Sequence, residues 1–305
     1  MAAKLYDCII IGGGTAGYGA GIYSARANMS TLCVAGAKEG SLLLANDIED
    51  YPGFPGSVKG SELLKLIKKQ AEKFGVHIIG EDVVKVNFRK KPFEIFAGGK
   101  KYPAKTVIIA TGASPKLLGI PSEKKFWGKG VSTCAVCDGC LFRGKPIAVV
   151  GGGDAAIKEA IYLANLGCKV TVIHRRDELR AIPILQKRAF ANKSIRFSWN
   201  SEIVEIRGNK MVSAVKIKNN KTGKFSELKV NAVFIAIGHT PNTDFLKGHI
   251  KLDEKGHIVV KNEVETSVPG VFAAGDVIDF RYMQAITAAS AGCKAALDAY
   301  RFLSE

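Results

Sequence analysis

The fold is decided by two stretches of sequence that share one pattern. Residues 6–17 read YDCIIIGGGTAG, and residues 146–156 read PIAVVGGGDAA. In each stretch a short apolar strand is followed by three glycines and then by small residues typical of a closely packed helix. A second strand follows each helix, at residues 31–35 in the first case and 169–173 in the second. The repetition predicts two βαβ units, each able to bind a dinucleotide.

Each small residue in these loops has a physical role. The first glycine permits a tight turn, the second lets the backbone approach a pyrophosphate, and the third small residue lets helix and strand pack closely. The N-terminus of the helix then offers free N–H groups and a favourable dipole to the phosphates. The candidate cofactor-binding residues are Gly12, Gly14, Thr15, Ala16 and Gly17 in the first loop and Gly152, Gly153, Asp154 and Ala155 in the second.

Two further apolar strands, at residues 106–110 and 232–237, indicate where the chain crosses between domains. Near the C-terminus a strand runs into a Gly-Asp turn, and a helix of small residues is expected from 284 to about 303. We therefore predict an α/β protein with two Rossmann-like, three-layer ββα dinucleotide-binding domains, the second inserted into the first. The expected domains are residues 1–113 with 242–305, and residues 114–241.

The residues after the second strand of the second unit predict its cofactor. NAD sites usually place an acidic residue there, to hydrogen-bond the ribose. Here the strand is followed by His174, Arg175 and Arg176, with Arg180 one turn further on. The planar guanidinium fork suits a 2′-phosphate, so this site is predicted to bind NADPH rather than NADH. We interpret Asp177 as a helix cap or a partner of one of the arginines.

The first unit has no acidic residue at the end of its second strand, where Glu39 arrives late. FAD is still favoured there, because the C-terminal turn Gly275-Asp276 suits a ribityl chain or a phosphate when the chain returns to this domain.

Three of the seven cysteines lie close together between the two units: Cys134, Cys137 and Cys140. A Cys-x-x-Cys pair in an α/β protein is a redox dithiol or half of a zinc site. Zinc would need a second ligand pair at suitable spacing, and none follows in the sequence. A redox pair is therefore favoured over zinc or purely structural cysteines, with Asp138 as the adjacent candidate for proton transfer. The isolated cysteines are expected to be small buried side chains: Cys8, Cys33, Cys168 and Cys293.

The formal net charge of +16 raises the question of a nucleic-acid partner. However, the lysines are scattered, often in stretches that look turn-rich, such as 90–101 and 216–229, and no helix carries a basic stripe interleaved with aromatics. A solvated surface is favoured, with steering of an acidic protein partner as the alternative. No apolar run approaches the roughly 18–20 residues that span a bilayer. We expect no membrane or nucleic-acid partner and a cytoplasmic location.

Taken together, these motifs resemble the low-molecular-weight thioredoxin reductases over essentially the whole chain. The resemblance implies FAD in the first domain, NADPH in the second, a homodimer, and rotation of one domain against the other. It implies that Cys137 faces the flavin, that Cys134 attacks the disulfide of thioredoxin or a thioredoxin-like protein, and that Asp138 is the acid–base partner. It also adds flavin contacts at Thr111, Gly112, Gly275, Asp276, Gln284 and Ala285.

The sequence departs from the family pattern at several places. Thr15 replaces a proline, Ser41 stands where glutamine is typical, Asp50 replaces an asparagine, and Met283 replaces an arginine. Two questions stay open. The first is whether Cys140 is a small side chain beneath the motif or an exchange partner of Cys137. The second is whether the enzyme is instead a thiol oxidase of the same architecture, although such an oxidase would have no use for the arginines.

Overall fold

The computed structural model describes residues 4–45 and 47–305. The chain forms two compact units. The first comprises the chain up to Ser114 together with Thr240–Glu305, and the second comprises Pro115–His239. Two short strands contain the crossings and pair with each other, β9 (Ala113–Pro115) and β18 (His239–Pro241).

The first unit is built on a seven-stranded sheet. Its strands are β1 (Tyr6–Ile11), β2 (Thr31–Val34), β5 (His77–Ile79), β6 (Val83–Asn87), β7 (Phe93–Ala97), β8 (Lys100–Ile109) and β19 (Val271–Ala273). They lie in the order β5, β2, β1, β8, β7, β6, and β19 also pairs with β8. A separate hairpin pairs β3 (Asp47–Ile48) with β4 (Val58–Lys59). The pairs that include β1, β2 or β19 are parallel, and β6 and β7 are added antiparallel.

Helices cover one face of this sheet. They are α1 (Thr15–Arg26), α2 (Gly60–Lys73) and α7 (Ala285–Ser304), with 3-10 turns at Ser41–Leu44 and Asp244–Leu246. The small residues of α1 and α7 let their backbones come close together. An ideal Cβ on Gly292 would lie 2.1 Å from the Ala16 carbonyl oxygen, so α7 rests directly on the first turn of α1.

The second unit contains a five-stranded parallel sheet in the order β10, β17, β11, β12, β13. Its strands are β10 (Val131–Ser132), β11 (Pro146–Val150), β12 (Lys169–Ile173), β13 (Ile195–Ser198) and β17 (Ala232–Ile235). An antiparallel sheet is formed by β14 (Ser201–Gly208), β15 (Val212–Asn219) and β16 (Phe225–Lys229). The helices are α3 (Pro121–Lys125), α4 (Ala135–Asp138), α5 (Asp154–Asn165) and α6 (Pro183–Ala191), with a 3-10 turn at Gly139–Phe142.

Alternate residues of the parallel strands pack on opposite sides of the sheet. Ile147 and Val149 pack with Leu163 and its neighbours on α5, whereas Ala148 and Val150 pack against side chains of the antiparallel sheet. The second unit therefore has three layers, the antiparallel sheet, the parallel sheet and the helices, as predicted.

The antiparallel sheet occupies part of a lysine-rich stretch that the sequence analysis interpreted as turn-rich. In β15 one face is buried while Lys216 and Lys218 lie on the more open face, and this alternation is what makes the stretch a strand. In the described part of the chain, no helix has the length and apolar character needed to cross a membrane.

Candidate active site

The cysteine pair lies in a short segment between β10 and the 3-10 turn that ends at Phe142. Cys134 and Cys137 are joined by a disulfide whose Cα atoms are 5.3 Å apart. Cys134 precedes α4 as its N-cap residue, and its sulfur accepts the Cys137 backbone N–H at 3.1 Å. The Cys134 backbone N–H donates to Ser132 Oγ at 3.0 Å. The Cys137 residue is exposed, so the disulfide lies where another thiol or disulfide can reach it. We refer to residues 134–142 as the redox segment.

Asp138 is the last residue of α4 and is half-buried, directly after Cys137. Its backbone N–H donates to the Cys134 carbonyl oxygen at 3.1 Å, which closes the single turn of this helix. The structure therefore brings together all three residues that the sequence analysis assigned to catalysis. Ser132, which holds the Cys134 backbone, was missed, because a serine two residues before a cysteine carries no distinctive sequence signal.

The remaining cysteines are free thiols in different environments. Cys8, Cys33 and Cys168 are buried, and Cys293 is partly buried. Burial raises the pKa of Cys8 to about 12 and also raises the pKa of Cys168, so these thiols are poor nucleophiles. Cys140 is exposed, and its sulfur lies 3.9 Å from the Cys137 carbonyl oxygen. It does not lie beneath the motif as a buried side chain would.

The first glycine-rich loop joins β1 to α1. Gly12 has φ +118°, and an ideal Cβ there would lie 2.2 Å from the Ala110 carbonyl oxygen, so only glycine fits. Gly17 is equally constrained, since its Cβ would lie 1.9 Å from the Gly12 carbonyl oxygen. Gly14 is the N-cap of α1 and supplies no side-chain cap, and Thr15 and Ala16 open the helix. The first N–H groups of this helix are thus left for a ligand such as a phosphate.

Other predicted residues of the first unit surround the start of α1. An ideal Cβ on Gly275 would lie 2.9 Å from the Ala16 Cβ, which places the Gly275-Asp276 turn beside this loop. Burial raises the pKa of Asp276 to about 6, and the charge of Asp279 adds to the effect. Thr111 follows β8, and its Oγ1 is buried without a hydrogen-bond partner among the described residues.

Gly112 adopts φ +66° with open space where a Cβ would point. Gln284 caps α7 in a reciprocal capping box with Thr287, and Ala285 is the first residue of that helix. Because α7 packs along α1, both residues belong to the same region of the first unit as the loop.

The second glycine-rich loop joins β11 to α5 and repeats this geometry. Gly151 has φ +147°, and an ideal Cβ there would lie 2.5 Å from the Ala236 carbonyl oxygen. An ideal Cβ on Gly152 would lie within 2.6 Å of the His174 ring, so this imidazole packs directly against the loop. Gly153 is the N-cap of α5, again without a side-chain cap, and a Cβ there would meet no heavy atom within 4 Å.

The segment that carries the arginines is tied to this loop by hydrogen bonds. The Gly152 carbonyl oxygen accepts the N–H groups of Arg180 at 2.8 Å and Ala181 at 3.1 Å. Asp154 Oδ1 accepts the Ile182 N–H at 2.8 Å, and Ala155 is exposed in the first turn of α5. These partners are far apart in sequence, and the fold brings them into contact. The hydrogen bonds therefore hold the arginine segment against the loop.

Arg175, Arg176 and Arg180 are all exposed, and in the described part of the chain none of their guanidinium groups forms a salt bridge. His174 is only 4% exposed, and its Nε2 has no hydrogen-bond partner among the described residues. Burial is the main cause that lowers its pKa, and the positive charges of the three arginines act in the same direction. The result is a concentration of unpaired positive charge beside the second loop.

Our interpretation of Asp177 was wrong. Among the described residues it caps no helix and pairs with no arginine, and its carboxylate forms a salt bridge with Lys221. This contact lowers the pKa of Asp177. The partner lies 44 residues away, in the turn between β15 and β16, and is brought close only by the fold. The arginines are consequently left free for another anion.

The chain is similar to known proteins over almost its full length. The family model for pyridine nucleotide-disulphide oxidoreductase matches residues 6–292. The thioredoxin reductase of Chlamydia trachomatis is 47% identical over 304 residues, covering 97% of this chain and 97% of that protein. The thioredoxin reductase of Rickettsia conorii is 48% identical over 303 residues, covering 97% of this chain and 98% of that protein.

A thioredoxin reductase from Giardia duodenalis has a solved structure that matches with a TM-score of 0.96 at 42% identity, covering 99% of this chain and 100% of that one. That of Streptococcus pyogenes matches with a TM-score of 0.94 at 42% identity, covering 99% of both chains. The predicted two-domain fold and the resemblance are confirmed. The chain belongs to the pyridine nucleotide-disulphide oxidoreductase family and, within it, to the thioredoxin reductases.

Proposed function

We propose that this protein is an NADPH-dependent thioredoxin-disulfide reductase that works through FAD and the Cys134–Cys137 disulfide. The observation that carries the proposal is this disulfide, formed by a Cys-x-x-Cys pair with one exposed cysteine, in a chain with two uncapped glycine-rich loops. Two loops provide for two dinucleotides, and the disulfide provides the group that exchanges with a protein substrate.

The residues of the second unit fit NADPH. The N-terminus of α5 and the open space at Gly153 suit a pyrophosphate that approaches the backbone. The exposed guanidinium groups of Arg175, Arg176 and Arg180 suit the 2′-phosphate, which distinguishes NADPH from NADH. The buried His174 ring packs against the loop at Gly152.

The residues of the first unit fit FAD. Gly12, Gly14 and the start of α1 would hold the pyrophosphate, as in the second unit. The unpartnered Oγ1 of Thr111 and the buried Asp276 are polar groups that a flavin nucleotide could satisfy. Gly112, Gln284 and Ala285 complete the contacts that the family resemblance implies. When bound, FAD would supply the two-electron chemistry that links NADPH to the Cys134–Cys137 disulfide.

The chain's own residues carry out the exchange with the substrate. The Cys134 thiolate attacks one sulfur of the substrate disulfide and releases the other as a thiolate, forming a mixed disulfide. Cys137 then attacks the Cys134 sulfur, which restores the Cys134–Cys137 disulfide and releases the reduced substrate. The Cys137 N–H that donates to the Cys134 sulfur would stabilise the attacking thiolate. Asp138, which follows Cys137 directly in the chain, would exchange protons with the thiols of the pair.

The substrate that fits this chemistry is thioredoxin or a thioredoxin-like protein. The exposed side chains of Val136 and Leu141 on the redox segment offer apolar contact to such a partner. We also propose a homodimer, because Tyr23 of α1 and Tyr300 of α7 leave aromatic surface exposed on this helix pair. A sedimentation mass of one chain would contradict it. A cytoplasmic location accords with the unpaired buried thiols of Cys8, Cys33 and Cys168.

The test is NADPH oxidation by the FAD-loaded protein with thioredoxin and insulin as final acceptor. Cys134→Ser should abolish thioredoxin reduction while leaving reduction of the flavin by NADPH intact. Cys140→Ser is the matched control, an exposed cysteine of the same segment, and should retain turnover. Flavin reduction without transfer to thioredoxin would point to another disulfide partner. Flavin that NADPH does not reduce would contradict the cofactor assignment and favour the thiol oxidase.

A further inference from the structure

The redox segment lies directly on one flank of α5. An ideal Cβ on Gly139 would lie 2.7 Å from Leu163 Cδ2 and 3.4 Å from Tyr162 Cε1, so no side chain separates the segment from the helix. The Cys168 thiol donates to the Phe142 carbonyl oxygen at 3.1 Å, which places the end of the segment at the end of the helix. The segment therefore runs along α5, and its earlier residues lie over the earlier turns.

The start of the redox segment also contacts α5, because α4 lies against that helix. Ala135 of α4 is 1% exposed and, like Ala156 and Ala160 of α5, belongs to the buried core of the second unit. Glu159 lies between these two alanines in sequence, three residues before Tyr162 and four before Leu163. Residues three and four apart share one flank of a helix, so Glu159 lies on the flank that carries the redox segment.

The opposite flank of α5 is occupied by other elements. Asp154 Oδ1 accepts the Ile182 N–H, which ties the segment leading into α6 to that side. Asp154 lies five residues, or about 500° of helical turn, before Glu159, which places the two side chains on different sides of the helix. Glu159 consequently lies on the flank of α5 that faces the redox segment, away from the segment that leads into α6.

The Glu159 carboxyl is an unusual group to find there. Its Oε2 is buried and has no hydrogen-bond partner among the described residues. Burial raises the pKa of Glu159 to about 7, and burial is the whole cause of this shift. A carboxyl in this state is neutral at slightly acidic pH and becomes a carboxylate just above neutrality.

Several titratable or charged groups occur on the elements that pack around Glu159. They are Cys134, Cys137, Asp138 and Cys140 on the redox segment with Arg143 after it, Asp154, Lys158 and Tyr162 on α5, Lys187 and Arg188 on α6, Lys169 on β12 and Arg196 on β13. Lys158 is exposed and makes no salt bridge to Glu159, so the carboxyl has no counter-charge on its own helix.

We infer that Glu159 is an electrostatic partner of the redox pair, whose ionisation disfavours the thiolate formed when the Cys134–Cys137 disulfide is reduced. The inference rests on the proposed function, because it takes this disulfide as the working redox group. Reduction by two electrons breaks the S–S bond and, with one proton from solvent, leaves one thiol and one thiolate. A neutral carboxylic acid leaves that negative charge unopposed, whereas a carboxylate repels it.

This coupling has a defined dependence on pH. The thiolate raises the pKa of Glu159, so the pKa is higher in the reduced protein than in the oxidised protein. Below both values Glu159 is protonated in either state and has no effect on the disulfide equilibrium. Above both values it is ionised in either state, and the reduced form is disfavoured by about tenfold for each pKa unit of coupling.

The test compares Glu159→Gln with the wild type as FAD-loaded holoenzymes. Each is equilibrated with mixtures of reduced and oxidised dithiothreitol between about pH 5.5 and about pH 9, then alkylated and weighed by mass spectrometry. Glutamine keeps the shape of the side chain and stays neutral. The ratio of the two proteins' equilibrium constants, at each pH, cancels the pH dependence of dithiothreitol itself. Glu202→Gln is the matched control, an exposed carboxyl on β14 of the same unit.

We expect the ratio of variant to wild type to be near one at acidic pH. At alkaline pH it should rise to about 3- to 10-fold in favour of the reduced variant, for a coupling of about half a pKa unit to one unit. The ratio for Glu202→Gln should stay at one throughout. A ratio for Glu159→Gln that does not change with pH would overturn the inference.

A second measurement on the wild type keeps the inference testable if the variant fails to fold. With glutamate labelled at the carboxyl carbon, one resonance should titrate near neutrality, and its midpoint should be higher in the dithiol protein than in the disulfide protein. Equal midpoints would overturn the coupling. If dithiothreitol fails to reduce Cys134–Cys137 at all, the proposed function fails first, so the two failures can be told apart.

Discussion

Replacing the third glycine of either loop with alanine should separate the two nucleotide sites. Gly153 has φ −93° and ψ −178°, an extended conformation that any residue adopts, and its Cβ would enter open space. Gly14 has φ −101° and ψ −170°, and its Cβ would lie 3.7 Å from the Gly40 Cα, an ordinary contact. The protein alone therefore accepts both changes, which should alter its stability by no more than about 0.4–1 kcal/mol, in the stabilising direction.

The bound nucleotide should not accept them. A pyrophosphate that lies against the loop backbone would meet the new methyl group, and overpacking of this kind costs about 1–3 kcal/mol. Since each 1.4 kcal/mol is a tenfold change in affinity, the expected loss is about 5- to 150-fold. Gly153→Ala should weaken NADPH binding and leave FAD retention unchanged. Gly14→Ala should release FAD and leave the NADPH affinity of the protein unchanged.

The assay measures FAD retention from flavin absorbance after gel filtration, NADPH affinity by equilibrium dialysis, and thermal unfolding of each variant. Each variant is the control for the other, because both add one methyl group at the N-cap of a 12-residue helix. If Gly153→Ala left NADPH affinity unchanged, or if one variant weakened both ligands equally, the loops would not hold the dinucleotides as assigned. A ligand-free variant that unfolds at a lower temperature than the ligand-free wild type would show that the loop backbone does not accept a Cβ.

Two further predictions concern side chains around these sites. Changing Arg175 and Arg176 together to alanine should raise the KM for NADPH by about 10- to 150-fold and barely change the KM for NADH. The magnitude corresponds to the loss of a charge-assisted hydrogen bond, which costs about 1.5–3 kcal/mol. Equal effects on both KM values would refute the 2′-phosphate assignment. Mass mapping of the oxidised protein should find a Cys134–Cys137 crosslink and a free Cys140 thiol, and a Cys137–Cys140 crosslink would instead make Cys140 an exchange partner.

The strands that build the parallel sheets could be predicted from the sequence because they are buried on both faces. Such strands are nearly continuous apolar runs, and glycines mark where they end. The expected bounds of β1, β11 and β12 are those of the structure. Helix ends were less certain, since the C-terminal helix expected from 284 to about 303 runs over Ala285–Ser304. The last turn of a helix depends on capping and packing, which local sequence describes poorly.

What could not be predicted depends on contacts between residues far apart in sequence. Asp177 looked like a partner for a neighbouring arginine, but the turn after β15 brings Lys221 to it. Nothing in the local sequence marks Glu159, and only the fold buries its Oε2 and leaves it without a hydrogen-bond partner among the described residues. In both cases the charge of the residue was known from sequence, but its partner or lack of one was set by the fold.

The two loops have nearly the same geometry, so the loops themselves cannot select different cofactors. Gly12 and Gly151 both adopt positive φ, and each lies against a carbonyl oxygen that follows a neighbouring strand. Selection must come from residues attached to each loop. In the second unit, hydrogen bonds to Gly152 hold the segment that carries the arginines, and its unpaired positive charge would favour a ligand with a 2′-phosphate. In the first unit the corresponding neighbours are Thr111 and the buried Asp276, which offer polar contacts and no cation, so they would favour a ligand without that phosphate.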